Sequence, residues 1–192
     1  MFQRRRFGLP DFPVTMAMIH NEPGAHPYST QVLKDAIAFI EKQYGEKYDW
    51  NALFARAEHM NEQNRIELEK WELFKTPYSA LCGIAESLYR LYGWASVNGQ
   101  EDQFTYNDRK VLKIMLDAYQ RRHEHFGGTT RHRAFLWGPS AVYYTDFPTW
   151  VQNCWGINIV LNMDSTMGHN MISTTDPEQA IQDLALFSEK GV

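Results

Sequence analysis

Cysteine is scarce in this chain: Cys82 and Cys154, far apart, are the only two in 192 residues. Two such thiols imply no disulfide framework, which points to a reducing compartment. Long apolar runs are missing as well. Nowhere do about 18 consecutive apolar residues occur, so no spanning helix is expected. The basic start Arg4-Arg5-Arg6 is followed by no apolar run of leader length, and Pro10, Asp11 and Pro13 interrupt the region. No secretory signal is read there. Charge of one sign is lacking too, with 19 Lys and Arg against 23 Asp and Glu, a formal net charge of -4. That balance gives no electrostatic case for nucleic acid or an anionic membrane. No internal repeat or low-complexity tract is present. The expectation is a reduced, cytoplasmic protein with neither a nucleic-acid nor a membrane partner.

What is there suffices for a core. The chain is 44% hydrophobic and 22% charged, ordinary for a globular protein. Aromatics reach 14%, with six Trp. Such residues fill cores and interfaces, so a large protein–protein interface is expected.

The stretch from Arg133 to Met163, RAFLWGPSAVYYTDFPTWVQNCWGINIVLNM, is the most telling. Apolar residues from Ala134 to Trp137 end at Gly138-Pro139. A helix start at Thr145-Asp146 leads to Trp155 and a stop at Gly156. A β-branched run, Ile157 to Val160 continuing to Met163, comes next. Strand, loop, helix, strand is the unit of parallel α/β sheets. Open sheets of that kind bind ligands at the carboxyl ends of their strands.

Before that unit the spacing predicts helices. Ser29 is a plausible cap for one in which Val32, Leu33, Ala36, Ile37 and Ile40 recur and Gly45 stops the run. Asp49 caps a second, amphipathic helix carrying Leu53, Ala57, Met60 and Asn64. A third starts at Pro77. Thr105 with Asp108 resembles a capping box for a fourth, with Val111, Leu112, Met115, Ala118 and Tyr119 on one face and Gly127-Gly128 as its stop. Near the other end, Thr175-Asp176-Pro177-Glu178 is a helix start, with Ile181, Leu184, Ala185 and Phe187 as the apolar face. Val14 to Ile19 reads as a strand without a local partner. The organisation predicted is an extended segment over 1–28, a helical domain over 29–128, and the first half of an α/β domain over 129–192. The fold class is α/β, a helical linker segment followed by an incomplete Rossmann-like parallel sheet.

Chemistry is sparse. His123-Glu124-His125 with His132 suggests a metal site, but histidines two apart diverge on a helix. No cysteine or carboxylate stands at familiar zinc spacing. A solvated, positively charged helix end is the favoured alternative, and no metal ligand is assigned. Cys154 and Cys82 read as small core residues. Gly138-Pro139-Ser140 is a weak phosphate signal with one glycine and no Walker lysine. Trp50, Trp71 and Tyr143-Tyr144 read as packing. The candidate ligand or partner contacts are Trp137, Gly138, Pro139 and Ser140, with Asp164 and Ser165, all at predicted strand ends. No catalytic residue is assigned.

Taken in order, several segments resemble the 2-hydroxyacyl-CoA dehydratase family and the related benzoyl-CoA reductase subunits. Pro13-Val14 to Ile19 looks like the strand closing the family's first domain. Tyr28 to Asp49, with the run EKQYGEKYDW, resembles the following helix and turn. Asn61 to Arg65 (NEQNR) and Thr76-Pro77 look like the next two helices. Arg133 to Gly138, Trp150, Gly156 and Ile159-Val160 resemble the opening of the second α/β domain. The resemblance implies a lyase of anaerobic metabolism that removes water from a 2-hydroxyacyl-CoA by a ketyl-radical route. It implies a homologous second subunit, an ATP-dependent iron–sulfur activator and an acyl-CoA substrate. It also implies a [4Fe-4S] cluster in the intact family subunit, whose ligand cysteines Cys82 and Cys154 do not match. No cofactor is therefore expected in this chain. The expectation is a fragment, a split subunit or a cluster-free relative, inactive alone. A non-catalytic interaction or scaffold subunit and an acyl-CoA-binding domain remain the alternatives.

Overall fold

The computed structural model describes residues 10–15, 22–78, 101–123, 130–136, 150–151, 154–162 and 170–189. Among them the order is α1 (Ala25–Tyr44), α2 (Trp50–Phe74), α3 (Glu101–Gln120), β1 (His132–Leu136), β2 (Ile157–Asn162) and α4 (Pro177–Glu189). The architecture is helix-rich with a small parallel sheet, consistent with α/β. The chain gathers into two compact units, Met1–Glu58 with Asn170–Gly191, and essentially His59–His169. This division by contacts differs from one by chain order.

The first unit is built on α1 and α4. Helix α1 begins four residues before the expected cap. The Ala25 N–H donates to the Glu22 carbonyl at 3.0 Å and the Tyr28 N–H to the Gly24 carbonyl at 3.1 Å. Ser29 is therefore a buried residue of the first turns and not a cap. The turn 22–24 supplies the start instead, because Pro23 and Gly24 favour it. The other end is as expected. Gly45 has φ 75°, and its N–H returns to the Glu41 carbonyl at 2.8 Å. That left-handed backbone suits glycine. Asp176 Oδ1 accepts the N–H groups of Glu178 (2.9 Å) and Gln179 (3.3 Å), with Pro177 as the first residue of α4. Ala180, Ile181 and Ala185 form the buried face of α4. Val14 and Thr15 are not in a strand. The remainder of that expected strand, residues 16–19, lies outside the described residues.

The second unit packs α3 and the sheet on the later turns of α2. Ile66, Leu73 and Phe74 of α2 meet Leu112 and Met115 of α3, with Val160 and Leu161 of β2 against them. A smaller cluster joins Val151 and Ile159, with Leu136 and Ile157 alongside. Strands β1 and β2 pair in parallel, His132 opposite Ile157 through Leu136 opposite Asn162. The register slips once, so that Ala134 faces Ile159 and Phe135 faces Leu161. Strict alternation would put Ile157, Ile159 and Leu161 on one face. The extra residue Val160 breaks that phase and hands Leu161 to the other cluster, as a bulge does.

Two boundaries of α3 differ from the sequence reading. It starts at Glu101, so Thr105 and Asp108 lie inside it and both are buried. They are held by partners on α2 rather than by the helix terminus. The helix also stops before the expected glycines. The His123 N–H reaches the Ala118 carbonyl at 2.9 Å and the Arg122 N–H reaches Tyr119 at 3.1 Å. Arg122 takes φ 54°, the left-handed step of a Schellman end. Tyr119, expected on the apolar face, is exposed. The helix expected from Pro77 lies outside the described residues beyond Tyr78.

Candidate functional site

The carboxyl ends of the strands are where a ligand was expected. Parallel pairing brings Leu136 opposite Asn162, so both strands finish at one edge. The residues singled out there, Trp137, Gly138, Pro139, Ser140, Asp164 and Ser165, all lie outside the described residues.

A site that sequence patterning missed stands between α2 and α3 in the second unit. Asn61, Asn64, Glu67 and Lys70 are each buried, and a spacing of three keeps them along one stripe of α2. Thr105 and Asp108 face them from α3. Lys70 Nζ donates to Asp108 Oδ1 at 2.7 Å, and neither side chain has any exposed surface. The same ammonium pairs with Glu67 Oε1. Gln63 Nε2 donates to Thr105 Oγ1 at 3.2 Å, and Arg109 closes the outer side on Glu62. Apolar periodicity cannot reveal such a stripe, because its members count as polar. The signal available was the three-residue spacing of Asn, Asn, Glu and Lys. Chemically, an ammonium between two carboxylates away from water fixes the helix–helix register. Removing one partner of a buried pair typically costs about 3–5 kcal/mol.

A cleft of about 310 Å³ belongs to the first unit, lined by Lys34, Ile37, Glu41, Trp50, Glu178 and Ile181. Lys34 Nζ lies 2.5 Å from Glu178 Oε1. That bond, with one from Gln182, holds the Glu178 carboxyl below the usual glutamate range. Glu41 is lowered first by the Tyr48 N–H (2.9 Å) and then by Lys47 (3.1 Å). Burial, then Asp49, pushes the Tyr48 phenol up. The ring of Tyr48 meets Trp50 edge-on at 4.9 Å. Both carboxylates are already bonded to protein donors, so the cleft offers packing more than chemistry.

The other candidates divide. Trp50 and Trp71 are packing residues, as expected, Trp71 against the larger cluster. Tyr143 and Tyr144 lie outside the described residues, as do Cys82, Glu124 and His125. Among the described residues no group of three His, Cys, Asp or Glu is arranged to hold a metal. Cys154 corrects its reading as a core residue, since its thiol is free and exposed. It sits on the last turn before Gly156, where Val151 takes the buried position and Trp150 and Trp155 stay 52% and 58% exposed. No helix among the described residues is long and apolar enough to cross a membrane.

Comparison with known proteins adds one finding. Neither the curated proteins nor the solved structures gave a match. A family model described as 2-hydroxyglutaryl-CoA dehydratase, D-component, matches residues 5–189. Since that match takes in both compact units and nearly every residue, the chain belongs to the 2-hydroxyglutaryl-CoA dehydratase D-component family.

Proposed function

We propose that this chain serves a 2-hydroxyacyl-CoA dehydratase as a subunit, or part of one, that carries no iron–sulfur cluster of its own. The observation carrying the proposal is the family match over residues 5–189. The donor set supports the cluster-free part. A [4Fe-4S] cluster takes about four cysteine thiolates, and the chain has Cys82 and Cys154 alone. These residues do not fit the group, and no reaction step is routed through one. On this proposal the parallel β1–β2 pair begins a Rossmann-like sheet that further strands complete. Helical residues over 29–128 form the linker of the larger subunit. Residues 137–140 with 164–165 contact the acyl-CoA or the partner at the strand ends. The partners are a homologous second subunit and an ATP-dependent activator, in the cytoplasm.

The test is direct. The purified full chain is expected to contain no stoichiometric iron or sulfide, and to dehydrate no 2-hydroxyacyl-CoA alone. Adding a cluster-bearing partner subunit and activator is expected to restore turnover. Stoichiometric iron on the chain, or turnover without a partner, would falsify the proposal.

The exposed Trp150 and Trp155, with ring centroids 6.3 Å apart, favour one second reading, a purely scaffolding subunit. Aromatics of this kind anchor interfaces. It predicts a stable complex whose turnover is unchanged when residues 137–140 are altered.

A further inference from the structure

We infer that the cleft lined from α1, from α4 and by Trp50 at the head of α2 is a binding site for a small organic ammonium ion with an apolar body, its principal contacts being Trp50 and Glu178. The inference does not rest on the function proposed above, and no bond is made or broken at the site.

The cleft follows from helical spacing. Lys34, Ile37 and Glu41 stand three and four apart on α1 and share one face, and α4 supplies Glu178 and Ile181 three apart. Its volume of about 310 Å³ is at the small end of ligand pockets, which run to about 1,000 Å³. Ile37 and Ile181 supply apolar surface. Trp50 supplies an indole, the best side chain for holding a cation against a ring. That ring is fixed before any ligand arrives, edge-on to Tyr48 at 4.9 Å and 6.5 Å from Phe54, so binding costs it little freedom.

The charges select the sign of the ligand. One ammonium, Lys34, lines the cleft with two carboxylates, Glu41 and Glu178. Hydrogen bonds hold both carboxyls below the usual glutamate range, so both are charged near neutrality. Lys34 and Gln182 each donate to Glu178 Oε1. Oε2 takes no hydrogen bond among the described residues, and a carboxylate accepts about four donors in all. An anion finds less. Lys34 is already on Glu178, and Asp176 Oδ1 occupies the first N–H groups of α4, at 2.9 and 3.3 Å. The positive end of that helix is therefore capped. An exposed Lys–Glu pair alone is a solvated helix contact; the preset indole and the open oxygen in the same cleft are what make a cation site.

The test is titration of the full chain with benzylammonium, with neutral benzyl alcohol and with benzoate, followed by broadening of the ligand's NMR lines. Benzylammonium is expected to bind with a Kd on the order of 1 mM, as suits so few atoms in a small cleft. Benzyl alcohol should bind about fivefold more weakly, the scale of one exposed cation–π contact, and benzoate not measurably. Trp50→Leu and Glu178→Gln should each weaken benzylammonium by about the same factor. Lys34→Met removes the competing ammonium and should tighten it, which a merely loosened cleft would not do. Loss of one exposed pair leaves the fold in place, and the melting temperature checks that. Equal affinity for amine and alcohol, binding of benzoate, no effect of Trp50→Leu, or weaker binding by Lys34→Met would each overturn the site. None of these results bears on the subunit proposal, which keeps its own iron and turnover assays.

Discussion

The two units use the same ion-pair chemistry in opposite surroundings. In the first, Lys34 and Glu178 meet with 37% and 57% of their side chains exposed. In the second, Lys70 meets Asp108 with none exposed. Water and salt screen the first pair, and long side chains lose entropy in forming it, so it contributes little. The second excludes every arrangement that leaves a charge stranded in the interior. One unit is therefore held by caps and apolar contacts with charges as trim. The other has charges inside its register, and its tolerance for change is correspondingly lower.

The largest expected effect comes from attacking that buried pair. Lys70→Met should cost about 3–5 kcal/mol by urea unfolding, because it leaves Asp108 and Glu67 without their ammonium. A loss below about 0.5 kcal/mol, the scale of surface substitutions, would erase the contrast between the units. A Lys70–Asp108 double-mutant cycle sharpens it, with a coupling well above that of any exposed pair.

Next in size is the cap of α4. Asp176→Ala removes the acceptor for two backbone N–H groups and should cost about 1 kcal/mol. Calorimetric melting checks it. Arg122→Gly in the second unit should stabilise by up to about 1 kcal/mol, since relief of the left-handed strain is partly offset by a more flexible unfolded chain. A lower melting temperature for that variant would remove the strain argument.

The smallest effect belongs to Lys34→Met, and it is best sought in the pH dependence. Glu178 is held below its ordinary value chiefly by Lys34. A depressed carboxylate favours the folded state above its unfolded pKa, about 4.3, and that contribution fades as pH falls through the folded value. The variant should match the parent in acid and fall slightly behind it near neutrality. A gap that widened in acid would contradict the assignment.

Sequence made the ends of elements legible where a residue acts on its own backbone. Gly45, Asp49 and Asp176-Pro177 all stand where local chemistry put them, and Asp49 Oδ1 accepts the Ala52 N–H at 3.1 Å. The parallel pair was legible from β-branched runs separated by a crossover. What failed was a set of polar and small residues whose role depends on a distant partner. Thr105 and Asp108 have the spacing of a cap, yet Gln63 and Lys70 claim them from another helix. Ser29 looks like a cap but is buried inside α1. Cys154 has the small apolar character of a core residue and lies on the wrong side of its turn. The polar stripe of α2 was hidden for the same reason, since its burial is decided by α3.

The first unit has a history that its static contacts conceal. Lys34 and Glu178 are 144 positions apart, and α1 finds α4 only once the ribosome has made everything between. At about 5–20 residues per second that is roughly 7–30 s during which α1 lacks its mate. The stretch His59–His169 is completed within that interval. Translation thus sets an order of assembly, with the later-numbered unit ready first and the chain's two flanks joining last.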